Sequence, residues 1–211
     1  IYGIFSNSAN RKLIENLESK GGKVHQFPMP ELHKINETQN SQFIREKFSI
    51  YDWFVFTDVL AVECFLELIE NGGIDLYDFD EKRVIAFGEA VSDRLRFSQI
   101  HSDIIPNKLR EEDIFNSILD YFQGGGIEEN KFLIVKDDGI NLGLTNNLKL
   151  KGAEVHELEI YTLKFAENKD SVKLKVLLQN GALDCFVLSS AEEIIYLENL
   201  VFPQNISELF K

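Results

Sequence analysis

Two stretches of this chain share one pattern. Asp52 to Val62 reads Asp-Trp-Phe-Val-Phe-Thr-Asp-Val-Leu-Ala-Val, and Asp184 to Ile194 reads Asp-Cys-Phe-Val-Leu-Ser-Ser-Ala-Glu-Glu-Ile. Each has an Asp, four apolar residues, a hydroxyl residue, a second short polar residue and then a helical pattern. An unalternating apolar run of this length predicts a strand covered on both faces, as in a parallel sheet. The short polar residues fall where a helix N-cap belongs. In an open parallel sheet, ligands collect at the carboxyl ends of strands, beside such helix N-termini. Thr57, Asp58, Ser189 and Ser190 are therefore N-caps first. The backbone N–H groups just beyond them are candidate anion donors.

The rest of the chain alternates in the same way. Strands are predicted at Tyr2 to Ser6, Lys23 to Phe27, Arg83 to Phe87, Lys131 to Lys136, Glu154 to Ile160 and Cys185 to Leu188, with a further one at Ile100 to Ile105. Helices are predicted at Ala9 to Lys20, Phe43 to Phe48, from the opening stretch to Gly72-Gly73, at Glu89 to Arg96, Glu111 to Phe122, Leu142 to Lys151 and Val172 to Gln179. Paired or tripled Gly residues stop several of them. Polar stretches from Pro30 to Asn40 and from Tyr161 to about Ser171 read as linkers. This alternation predicts a parallel α/β architecture. No Gly-x-Gly-x-x-Gly or Walker pattern occurs, so nucleotide binding is unsupported.

Composition narrows the function classes. With 35 acidic and 22 basic residues the formal charge is −13. Nucleic acid and anionic membranes are poor partners for such a chain, because binding them draws on Lys and Arg. There is no run of eighteen apolar residues, so no membrane-spanning helix is expected. Cys64 and Cys185 form neither a metal motif nor a disulfide framework, which points to a reducing cytoplasm. No carboxylate or cysteine cluster accompanies His25 and His156 at ligand spacing, so no metal site is expected.

A second match lies beside the first. Leu17-x-x-Lys20-Gly21-Gly22-x-Val24-His25-x-Phe27 recurs as Leu148-x-x-Lys151-Gly152-Ala153-x-Val155-His156-x-Leu158. Gly21 recurs 131 residues on as Gly152, and Thr57 recurs 132 residues on as Ser189. Two independent matches at nearly one offset argue for an internal duplication. The strand-Gly-helix at Arg83 to Arg96 would then recur beyond Lys211. By that arithmetic the chain is expected to stop inside its second copy, roughly 50 residues short.

Together these residues resemble the uroporphyrinogen-III synthase family. The family's marks read here as Phe56-Thr57-Asp58, Phe87-Gly88-Glu89-Ala90-Val91, Gly152-Ala153-Glu154-Val155, Tyr161 and Ser189-Ser190. The resemblance implies two similar, flavodoxin-like α/β domains joined by two linkers. Residues 1–33 plus 163–211 would form one, and residues 34–162 the other. It also implies cyclisation of hydroxymethylbilane to uroporphyrinogen III with loss of water and inversion of ring D. That is a lyase reaction of tetrapyrrole synthesis needing no cofactor. The expected partner is the small-molecule substrate alone, with no nucleic acid and no membrane, and the chain a monomer. The sequence departs from the family pattern at four places. Phe5-Ser6-Asn7 lacks an Arg, Asp58 stands for Ser, Val91 for Thr, and Lys136-Asp137-Asp138-Gly139 for a Pro-Arg-Gly turn. Asp58, Asp137 and Asp138 thus add negative charge against a substrate carrying eight carboxylates.

The implied chemistry is departure of a hydroxyl as water, giving a cation delocalised into its pyrrole, followed by attack and re-closure at ring D. The protein holds a flexible bilane and supplies a proton. On the resemblance, Tyr161 is the candidate acid, its bland alternative being an aromatic plug. Candidate substrate-binding residues are Thr57, Asp58, Gly88, Glu89, Ala90, Lys136, Gly139, Ser189 and Ser190. Gly88 equally reads as a turn residue, and Lys136 as a solvated one. A non-catalytic two-domain module binding a tetrapyrrole or another small acidic ligand is the alternative function.

Overall fold

A computed structural model describes residues 1–6, 10–28, 31–108, 110–123, 125–139, 143–164, 169–188, 193 and 197. The elements, in order, are β1 (Tyr2–Ser6), α1 (Arg11–Ser19), β2 (Val24–Pro28), β3 (Glu31–Lys34), α2 (Glu37–Lys47), β4 (Trp53–Phe56), α3 (Val59–Gly72), β5 (Arg83–Ala86), α4 (Glu89–Phe97), α5 (Glu111–Tyr121), β6 (Lys131–Asp137), α6 (Gly143–Leu150), β7 (Glu154–Lys164), α7 (Lys169–Gln179) and β8 (Cys185–Val187). The chain clusters into two compact units, residues 1–32 with 163–211, and residues 33–162. The architecture is mixed α/β, and β1 with β2, β1 with β8, β4 with β5, β4 with β6 and β6 with β7 pair in parallel.

In the larger unit a five-stranded sheet runs in the order β3-β7-β6-β4-β5. β4 lies between β6 and β5, and all four of its residues are buried. Successive strand side chains point to opposite faces, so a central strand must be apolar throughout. Trp53 and Val55 join Phe132, Ile134, Ile85, Ile114, Ile118, Leu144 and Leu148 in one core. Phe54 and Phe56 pack on the other side against Phe65, while Phe54 also meets Phe48 and Phe79. Each fully buried side chain of this size contributes roughly 1.5–3 kcal/mol of transfer free energy. Asp52, the first residue of the opening pattern, accepts a hydrogen bond from the Lys131 N–H at 2.8 Å and so ties β4 to the start of β6.

Among the described residues the smaller unit holds a three-stranded parallel sheet in the order β2-β1-β8. Phe5, Phe27, Leu174, Leu178, Leu183 and Leu197 form its core, with Phe186 packed against them.

Three expectations change. The stretch expected as a first linker carries β3, beside β7 in the sheet, and α2 begins at Glu37 rather than near Phe43. All four β3 residues are exposed. The polarity that suggests a linker is that of an edge strand, whose Glu and Lys discourage further pairing. β7 likewise continues through Tyr161 to Lys164 where a second linker was expected. The strand expected at Ile100 to Ile105 is reduced to one bridge, Ile85 to Ile104. The Asp103 carboxylate takes the Val84 N–H at 2.8 Å, occupying a donor that a longer ladder would use.

Candidate functional site

Within the larger unit, the sequence-derived candidates gather at the carboxyl ends of β4, β5, β6 and β7. After β4 the chain turns into α3 through Thr57 and Asp58. Asp58 has an extended backbone, and its Oδ1 accepts the Ala61 N–H at 2.8 Å. That is an N-cap bond, satisfying one of the orphan donors of the first turn. The Thr57 hydroxyl donates to Asp58 Oδ2 at 2.7 Å, and the Thr57 N–H reaches the Val135 carbonyl at 3.3 Å. Asp58 therefore places a carboxylate at the positive end of a 14-residue helix, where an anionic ligand would otherwise be favoured.

The adjacent turn follows β5. Phe87 N–H donates to the Phe56 carbonyl at 3.0 Å, bringing this turn beside the first. Gly88, the N-cap residue before α4, has φ 92° and ψ 170°. Residues with a Cβ avoid that region, so Gly88 is required by the backbone itself. Glu89 and Ala90 are exposed in the first turn, and Glu89 adds a second carboxylate at a helix N-terminus. Val91, where the resemblance has Thr, is buried.

β6 and β7 end on a bulge. Lys136 faces Glu159, but Asp137 faces Tyr161, so Ile160 is an extra residue on β7. A bulge of this kind re-aims the side chains beyond it. Tyr161 is 3% exposed, and its carbonyl accepts the Asp138 N–H at 3.1 Å. Asp137 is buried and turns its Oδ1 onto the Gly139 N–H at 2.8 Å.

Lys136 is not a solvated lysine. Its side chain is 3% exposed, with Nζ at 3.3 Å from Glu157 Oε2 and 3.2 Å from Glu159 Oε1. Thr145 of α6 donates its hydroxyl to Glu157. The sequence reading misses Glu157, Glu159 and Thr145. A signal was present: Glu157 and Glu159 are two apart on a strand and share a face, next to a lysine-ended strand. Ser189 and Ser190 lie outside the described residues.

The family model for Uroporphyrinogen-III synthase HemD matches residues 11–204. The chain belongs to the uroporphyrinogen-III synthase family. Membership implies an enzyme of heme biosynthesis, a cyclising lyase. No curated protein matches the chain. Its fold is similar to a mutant uroporphyrinogen III synthase of the extremely thermophilic bacterium Thermus thermophilus at 14% identity, covering 100% of this chain and 81% of that one with a TM-score of 0.74. It is also similar to the wild-type uroporphyrinogen III synthase of Thermus thermophilus, at 16% identity over 96% of this chain and 75% of that one, TM-score 0.63. A further Thermus thermophilus uroporphyrinogen III synthase structure matches at 18% identity, over 93% and 76% of the two chains, TM-score 0.59. At these identities the structural likeness shows the fold.

In this member of the uroporphyrinogen-III synthase family a second polar cluster lies at the opposite, amino end of β6 and β7. The Tyr51 hydroxyl meets His156 Nδ1 at 3.0 Å, and Lys131 pairs with Glu154 at 2.9 Å. Burial, helped by the Glu154 charge, pushes the Tyr51 phenol up to about 12. Lys131 holds the Glu154 carboxyl below its ordinary range. Burial likewise pushes the Cys64 thiol up to about 11. Among the described residues, no group of three or more His, Cys, Asp or Glu is placed to hold a metal ion. No helix among them is long and apolar enough to cross a membrane.

Proposed function

We propose that the chain is a uroporphyrinogen-III synthase that cyclises hydroxymethylbilane with loss of water and inversion of ring D. The observation that carries this reading is the family match over residues 11–204. The reading includes an internal duplication into two similar domains, residues 1–33 with 163–211 and residues 34–162. It also includes a monomeric enzyme working without a cofactor in the cytoplasm, where the free Cys64 and Cys185 thiols stay reduced.

On this reading the carboxyl ends of β4, β5, β6 and β7 hold the substrate. The first-turn N–H groups of α3 and α4 receive ligand carboxylates. Thr57 and Gly88 shape the two turns, and Gly88 lets a ligand approach backbone closely. Glu89, Ala90, Lys136 and Gly139 line the same end, and Ser189 and Ser190 take the corresponding part in the second copy. Tyr161 protonates the departing hydroxyl, its phenolic O–H serving as the donor. Holding the two ends of a flexible bilane together supplies the rest of the rate, because closure then starts from an ordered chain.

A second reading is favoured by one specific feature, the intrachain carboxylates Asp58, Glu157 and Glu159 at places where a substrate carboxylate would bind. It makes the protein a non-catalytic module for a tetrapyrrole or another small acidic ligand. One assay separates the two. Hydroxymethylbilane generated in situ is offered to the folded protein, and the product isomer is identified. The type III isomer above the spontaneous type I background supports the synthase; type I alone sinks it.

A further inference from the structure

We infer that Glu159 is an exchangeable counter-ion of Lys136, and that a ligand carboxylate takes its place on the buried ammonium. The inference deepens the proposed function by naming a selectivity residue, and it rests on that reading only for the identity of the ligand. Three observations carry it. Lys136 is 3% exposed and lies at the carboxyl end of β6, so its charge is held in a low-dielectric setting and must stay paired. Lys136 also donates to the Asp137 carbonyl at 3.5 Å, and among its described partners the two carboxylates are unequal. The Glu157 side chain is 28% exposed and is also bonded by the Thr145 hydroxyl. Glu159 is 49% exposed and reaches Lys136 at 3.2 Å from directly across the ladder.

The charge count adds to this. Among the described residues two carboxylates face this one ammonium, so these three side chains carry an excess negative charge. Exchange of Glu159 for a ligand carboxylate leaves Lys136 paired throughout. It exposes no bare buried charge, the step that would otherwise be prohibitive. The pair that breaks is half solvent-exposed, and pairs of that kind hold weakly. Glu159 swings into water and regains side-chain freedom, while Glu157 stays fixed by Thr145. Glu159 therefore disfavours ligands with few carboxylates, which compete poorly with it. Ligands that bring several carboxylates at once, anchored elsewhere along the strand ends, displace it readily.

The test compares the full chain with Glu159→Gln and Glu63→Gln, using benzenehexacarboxylate as probe and titration calorimetry as readout. Glu63 belongs to a different cluster, paired with Arg94 at 3.3 Å, so its change removes the same net charge elsewhere. Removing a like charge about 5 Å from the bound carboxylate is expected to tighten binding roughly fivefold at low salt. Glu159→Gln is expected to show this gain and Glu63→Gln none. Equal or weaker binding by Glu159→Gln overturns the inference, as does an equal gain in Glu63→Gln or no probe binding by any of the three. In the bilane assay, Glu159→Gln is expected to lower KM with kcat little changed. A protein that makes no type III isomer but still shows the calorimetric gain keeps the exchange and loses the synthase reading.

Discussion

Asp58 is the residue whose charge most directly opposes an acidic ligand, and its replacement separates two effects that share one side chain. Its Oδ1 caps α3 through the Ala61 N–H, and its Oδ2 accepts from Thr57. Asp58→Ser keeps a capping oxygen and removes the charge. Asp58→Ala removes both. Loss of a cap costs about 1 kcal/mol, which for a chain of this length lowers Tm by roughly 2–4 °C. Ser and Asp cap about equally well, so Asp58→Ser is expected to melt close to the parent. The charge term is separate. A ligand carboxylate bound at the α3 N-terminus sits about 5 Å from Asp58, where repulsion is on the order of 1–3 kcal/mol for effective dielectrics between about 60 and 20. That corresponds to roughly 5- to 150-fold in apparent affinity. Bilane turnover at two salt concentrations reads it. Both variants are expected to lower KM, the gain shrinking as salt rises, while only Asp58→Ala loses thermal stability. An unchanged or higher KM in a folded Asp58→Ser protein would refute the placement of a ligand carboxylate at this helix end.

Three further outcomes are expected. Tyr161→Phe should lower turnover by tenfold or more with an unchanged melting curve, the loss expected of a missing general acid; undiminished turnover removes Tyr161 from the chemistry. Gly88→Ala should cost on the order of 1–3 kcal/mol in urea denaturation, since Ala is forced to φ 92°; an unaltered midpoint contradicts the backbone argument. Tyr51 titrates at about 12 in the folded protein, against about 10 when exposed. Its folded value is raised, so its contribution to stability is complete below about pH 10 and is lost as pH rises through 12. Tyr51→Phe should remove that alkaline component from stability measured against pH, and a variant that keeps the full decline disproves the assignment.

Much of the architecture is legible along the chain because its causes are local. The apolar run at Trp53 to Phe56 predicts a strand buried on both faces, and β4 is that strand. Asp58 predicts an N-cap, and its bond to the Ala61 N–H spans three residues. Gly73, with φ 71°, ends α3 as its position after the helical pattern suggests. The polar segments read as linkers fail for a non-local reason. Glu31–Lys34 is strand only because β7 offers it an edge, and nothing within four exposed residues announces a partner so far along the chain.

The candidate site divides in the same way. Thr57, Asp58 and Gly88 follow from strand ends and helix starts, which the sequence marks residue by residue. The state of Lys136 does not. Whether a lone lysine is solvated or buried depends on which residues stand opposite, and that is decided by register. The ladder that sets Lys136 against Glu159 spans 23 residues of sequence, and the contact between Tyr51 and His156 spans 105. One residue of slip would turn Glu159 to the other face and leave the lysine without it. The sequence by itself therefore determined the strands, their caps and the end of the sheet where polar residues collect. Only the tertiary structure decided that this end carries its own carboxylates on its buried cation, because a charge pair across a sheet exists only once its register is set.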